Sequence, residues 1–256
     1  MLQWFNRSAV SDETADWLAE CFSWAMQNFD VTHFANTTAL VLPTNAFFPH
    51  PVASSDGMAQ YVFDRVIAFS GLKTWPWRLD PPECFVAQAP PLLGLNPEVR
   101  GEDTVNILPV EGAEYLSMTY ARDQVAKPQD LVATLAHGVA QHMLWQSQLT
   151  PPGGTSYFLQ AAEVLAVYMG FGVMIANSAY SFRGSCARCY NPRANRQASL
   201  SESECVYALA LFCDLQKIDR RDVAKHLKKY LNPALKSAFR QVDRHPGTPH
   251  LRALCK

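Results

Sequence analysis

The sequence predicts an α+β chain in which a small mixed sheet in the N-terminal half packs on a helical C-terminal half. Three observations predict it. Strand-like segments fall before residue 127, at 38–43, 105–110 and 115–120. From Pro128 onward the apolar residues recur at helical spacing. The 256 residues include 48% apolar and only 18% charged side chains, enough to bury a substantial core. We read one domain over residues 1–256, with a mixed half at 1–127, a helical half at 128–244 and a mobile tail at 245–256.

Ser11 followed by Asp-Glu-Thr is a capped helix start, and Trp17, Leu18, Cys21, Phe22, Trp24 and Ala25 carry that helix to about Asn28. Residues 38–43, Thr-Ala-Leu-Val-Leu-Pro, read as a strand ended by proline. The spacing of Met58, Tyr61, Val62, Val66 and Ile67 gives an amphipathic helix over 56–69. Residues 72–100 are rich in Trp and Pro and predict irregular chain, with Trp75-Pro-Trp77 as an aromatic plug. The strands at 105–110 and 115–120 are spaced to form a hairpin.

Pro128, at an N1-like position, opens a helix to about Gln146. After Pro151-Pro-Gly-Gly154 comes a long apolar helix over 156–181. Ser201-Glu-Ser-Glu204 then makes a capping-box start for another. Shorter helices follow at 221–230 and 233–242.

Composition narrows the function classes. The formal charge is −1 and no basic run is long enough to attract nucleic acid or an anionic membrane surface. The run Lys225-His-Leu-Lys-Lys229 suits a helix C-terminus and solvent. Residues 164–182 lack charge, but Glu163, Asn177, Ser178 and two glycines make a buried core helix the better reading than a bilayer span. The seven cysteines are odd in number and scattered, which points to a reducing, cytoplasmic setting. The N-terminal residues lack the pattern of a signal peptide.

Two positions carry the chemistry. In the helix over 131–144, Val132, Leu135, Ala136, Val139 and Met143 share the core face. His137 and Gln141, four apart, project together on the other side, while His142 sits near the edge of the apolar stripe. Glu163 is the only charged residue from 156 through 182. A lone carboxylate in so apolar a helix must be paired, protonated or metal-bound, because burying it bare costs several kcal/mol. The plain readings are a histidine on a solvated face and a buried glutamate hydrogen-bonded to a neighbouring helix.

Three runs then stand in order: Ala136-His-Gly-Val-Ala-Gln141, Glu163-Val-Leu-Ala-Val-Tyr-Met-Gly-Phe-Gly172 and Tyr207-Ala-Leu-Ala210. Their order resembles the gluzincin class of zinc metallopeptidases, and more closely a family of uncharacterised bacterial zincin-like proteins. The resemblance covers residues 128–215, with a fainter likeness over 40–72. It implies a zincin-like fold, His137 as first metal ligand and Glu163 as the third, acidic one. It also places Gly138 where the family has the glutamate that deprotonates water, and Gln141 where it has the second histidine. Glutamine is a poor zinc ligand beside imidazole, and glycine cannot be a base. No catalytic residue is therefore expected, and no cofactor, with zinc as the metal if one is held.

Cys186-Ala-Arg-Cys189 is the other candidate, half a zinc knuckle or a redox dithiol. Three functions follow in order. The first is a catalytically degenerate zincin-like protein that binds or scaffolds a protein or peptide partner. The second is a metal-dependent hydrolase using His137, Glu163 and either His142 or a cysteine. The third is a knuckle or thiol protein centred on Cys186 and Cys189.

Overall fold

A computed structural model describes residues 8–50, 52, 54–95, 99–101, 107–180 and 196–256. Helix α1 (Asp12–Asn28) begins where the Ser11 hydroxyl accepts the Thr14 N–H, and it buries Leu18, Phe22, Ala25 and Met26. The short α2 (Val31–Asn36) delivers Phe34 to the core. Helix α3 (Ser55–Ser70) is capped by Ser54 and closed by Gly71, whose left-handed backbone suits glycine. Helix α4 (Pro128–Ser147) has its proline in the first turn, and Val132, Leu135, Ala136, Val139 and Met143 are all buried. The fold is α+β and 57% helical. Helices fill the N-terminal half as well as the C-terminal one.

The long helix expected over 156–181 is broken. Helix α5 (Phe158–Ala166) and helix α6 (Gly172–Ser178) are joined through a π-type turn, Val167–Phe171, in which Gly170 has φ 99°. A Cβ on Gly170 would lie 2.1 Å from the Ala39 carbonyl oxygen, while the Gly170 carbonyl accepts the Val41 N–H at 2.9 Å. The stretch expected as a strand at 38–43 is thus extended chain that docks its backbone on the kink. Stretched as one run, Thr155–Ser178 is long and apolar enough to cross a membrane, but 83% of its most apolar window is buried inside the protein. Helices α3, α5 and α6 pack around α4, the centre of the molecule.

The expected hairpin does not form. Strands β1 (Trp77–Leu79), β2 (Leu92–Leu93), β3 (Pro109–Glu111) and β4 (Leu116–Met118) make two separate pairs. β4 runs parallel to β1 with Leu116 opposite Trp77, and β3 runs antiparallel to β2. The small sheet is therefore two ribbons; of the first expected strand, residues 105 and 106 lie outside the described residues. Trp75 and Trp77 stack with ring centres 5.8 Å apart, and Trp75 is buried, as an aromatic plug requires.

Helix α7 (Glu202–Leu215) starts with the expected capping box between Ser201 and Glu204. Helices α8 (Arg220–Ala224) and α9 (Asn232–Arg244) follow, and α9 packs on α7. The segment expected as a tail instead folds into α10 (Thr248–Leu254). Its Thr248 and Leu251 are buried, and it packs on α1. Pro249 serves in its first turn, and seven residues whose large apolar side chains are Leu251 and Leu254 make too short a stripe to announce a helix in sequence.

Gly170 is the strained point of this frame. Gly170→Ala should destabilise the fold by more than about 2 kcal/mol, since it combines a positive φ with a backbone clash. A urea midpoint at the wild-type value would show that the 38–42 segment does not hold the kink.

Candidate functional site

A cleft of about 1070 Å³ opens along the polar side of α4. Thr134, His137, Gly138 and Gln141 form its floor. One wall is the chain leaving β4, from Met118 to Gln124, and the other is Leu159 with residues 196–199. Within the β1–β4 pair, Leu116 N–H and Met118 C=O bond to Pro76 and Asp80 of the β1 side. By strand alternation, Ser117 turns its backbone groups the other way. Thr119, just past the strand, lines the cleft.

Glu163, fully buried on α5, has found the partner its chemistry demands. Its carboxylate is 2.5 Å from Nη2 of Arg196, which is 3% exposed. Its other oxygen accepts the backbone N–H groups of Ser199 at 2.6 Å and Leu200 at 3.0 Å, just before α7. The Cys205 thiol lies 3.7 Å from the first oxygen. Burial, then the Glu163 charge, push that thiol's pKa well up, so it stays protonated and inert. Arg196 is fixed in turn: Nε donates to Ser178 Oγ at 2.9 Å and Nη2 to the Ile175 carbonyl at 3.3 Å. A buried ion pair with this many hydrogen bonds is the arrangement in which desolvation is repaid.

His137 is not on a solvated face but buried at 6% exposure. Its Nε2 lies 3.0 Å from the Leu159 carbonyl oxygen, one turn before Glu163 on α5. Facing an acceptor, Nε2 carries the proton. Burial lowers the pKa; Glu163 pulls it up and Arg196 pushes it down. The guanidinium that stands on the Glu163 carboxylate offsets the pull of that carboxylate on the imidazole. His142 points elsewhere. Its ring meets Trp77 edge-on at 5.4 Å, and burial takes its pKa down to about 4.

The Met118 side chain covers Gly138: a Cβ there would lie 2.4 Å from the Met118 methyl, the flexible end of a side chain that can swing aside. The rim holds a second set of charges. Arg122 grips Glu83 through two bonds, at 2.6 and 2.7 Å, and reaches Asp56 at 2.9 Å. That contact holds the Glu83 carboxyl down at about 2. Tyr120 donates to Asp56 at 2.5 Å.

Among the described residues, the expected ligands do not fit a zinc ion. Of the expected ligands, His137 shows Nε2 to a carbonyl, Glu163 is saturated by a cation and two amides, and Gln141 is a weak donor. Among the described residues no group of three or more His, Cys, Asp or Glu side chains is placed to hold a metal. Cys186 and Cys189 lie outside the described residues. The five cysteines inside them, Cys21, Cys84, Cys205, Cys213 and Cys255, are all free thiols. Compared with known proteins, the chain matches no family model, no curated protein and no solved structure. The function must therefore be argued from this geometry.

Sequence reasoning located Glu163's need but not Arg196, one of four arginines between 183 and 196 with no distinguishing neighbour. It also missed Met118, whose only signal was the glycine opposite.

Breaking the pair should cost more than removing it. Arg196→Met or Glu163→Leu alone should destabilise by about 3–5 kcal/mol, and the double variant by clearly less than the sum. Additive losses in a double-mutant cycle of urea unfolding would refute the pairing.

The histidines set an acid limit. His137 and His142 take up protons less readily folded than unfolded, and so does His33, which burial and then Arg100 bring to about 4. Below their unfolded value of about 6.5 the unfolded chain binds more protons, so stability present above that pH is lost as it falls toward 4. The urea midpoint should drop between pH 6.5 and 5, and His142→Gln should flatten part of that slope.

Proposed function

We propose that this chain is a catalytically degenerate zincin-like protein, a cytoplasmic binding or scaffolding module whose cleft takes an extended peptide from a protein partner. One observation carries the reading: the acidic side chain that the resemblance assigns to metal, Glu163, is ion-paired with Arg196 instead. Four others support it. Gly138 stands where a water-activating glutamate would be needed, and Met118 fills the space beside it. His137 directs Nε2 to a carbonyl. The chain past β4 offers an outward backbone edge along a cleft roomy enough for several residues. Free thiols at all five described cysteines suit a reducing compartment.

On this reading the cleft binds without chemistry, because glycine stands at the position of the general base and an ion pair at the position of the acidic ligand.

Elemental analysis of the purified protein, before and after zinc loading, tests this directly. Zinc should stay far below one equivalent and should be unchanged in His137→Ala. A full equivalent that disappears in that variant, with peptide hydrolysis that a chelator abolishes, would establish the metal-dependent hydrolase instead.

A further inference from the structure

The floor of the cleft holds an unused acceptor. His137 is only 6% exposed, and the little of it that meets solvent lies in the cleft it lines. Its Nε2 carries a proton toward the Leu159 carbonyl, which leaves Nδ1 of the neutral ring with a lone pair. Nδ1 has no hydrogen-bond partner among the described residues, yet it is not closed to solvent as Nδ1 of His142 is. A donor in the cleft can therefore reach it. Thr134 and Gln141 stand one turn before and one turn after it on the same face of α4, and both line the cleft. The Gln141 side chain likewise makes no hydrogen bond among the described residues. Acceptors thus follow one another along the floor at one-turn spacing, about 5–6 Å.

The charges around that floor lean negative. Among the described residues that line the cleft, Arg196 is balanced by Glu163, and Arg122 is shared between Glu83 and Asp56. Asp123 is exposed and enters no ion pair. Its chain neighbour Gln124 is bonded to Thr134 at 3.2 Å, which keeps Asp123 beside the floor. Three carboxylates, at 56, 83 and 123, thus stand against the single guanidinium of Arg122. An anion entering the cleft would meet this surplus of like charge. An apolar side chain would cover the Nδ1 lone pair without pairing it. A cationic N–H donor satisfies both.

We infer that the cleft selects an extended peptide carrying a basic side chain, lysine or arginine, whose N–H donates to Nδ1 of His137 while its charge is met by Asp123 and the surplus acid at the rim. The inference rests on the peptide-binding reading and specifies its ligand. The two contributions differ in kind. Asp123 and its neighbours are exposed and act through a field that salt screens, whereas His137 is a short-range acceptor that salt leaves alone.

The test is a titration of ¹⁵N-labelled full-length protein with heptapeptides blocked at both ends by acetyl and amide groups and identical except for a central Lys, Arg, Met or Glu. Affinity is read across the backbone amides, and seating at the His137 Nδ1 resonance, which moves when its lone pair accepts a hydrogen bond. The Lys and Arg peptides should bind about tenfold more tightly than the Met peptide, with the Glu peptide weakest, and only the basic pair should move Nδ1. Asp123→Asn changes an exposed side chain and should cut that preference about threefold, as should raised salt. Equal binding of the four peptides, or a preference for Glu, would overturn the inference and leave the peptide-binding reading standing. A preference for Lys and Arg that never moves Nδ1, or that is unchanged in Asp123→Asn, would overturn it as well, since the cation would then sit elsewhere. Binding by none of the four would remove both.

Discussion

The structure turns on the ion pair between Glu163 and Arg196. A carboxylate in the centre of an apolar helix is tolerable only if its charge is met within the protein, and here it is met by a guanidinium and two backbone amides at once. Those bonds also do architectural work. They fasten the chain before α7 to α5, and through Arg196 to the C-terminal end of α6. The wall of the cleft formed by residues 196–199 therefore exists because Glu163 holds it there. Placing a divalent cation on Glu163 would mean driving off a guanidinium that is itself buried, exchanging one satisfied charge for another left bare.

The second constraint is steric and lies on α4. Glycine at 138 costs the helix about 1 kcal/mol relative to alanine, and the Met118 methyl occupies the room beside it. The polar side of α4 is thereby sealed on one flank by methionine and on the other by the Leu159 carbonyl, which fixes the His137 tautomer. Burial keeps both His137 and His142 neutral, so the cleft floor adds no positive charge near neutral pH.

Most helices were legible because their signals are local. Ser11, Ser201 with Glu204, and Pro128 mark starts, and apolar spacing marks the buried face, all within a few residues of the element itself. The pairing of the last two strands was misread because their partners are distant. β4 pairs with a segment near Trp77 rather than with its sequence neighbour β3, and nothing in a three-residue strand encodes that choice. Residues 38–43 have β-forming side chains, but their backbone partner is the carbonyl of Gly170 inside a helix kink. At the site, the need for a counter-charge at Glu163 was readable from burial alone. Which residue would supply it was not, since a loop arginine carries no mark of the distance it must cover.

On the reading proposed, the exchange of metal for guanidinium also changes what the fold depends on. A carboxylate satisfied by a bound ion makes stability a function of that ion's free concentration, because only the folded state assembles the ligands. A carboxylate satisfied by Arg196 draws its counter-charge from the same chain, at an effective concentration that no chelator can alter. The cost is that the positive charge is now fixed, covalently tethered and already paired, so it can orient a neighbouring carbonyl but cannot ionise water. On that same proposal, recognition and catalysis come apart at Glu163: with Gly138 and Gln141 beside it, the carboxylate anchors a wall of the cleft through Arg196 and leaves no place for the ion that would act on a bound peptide.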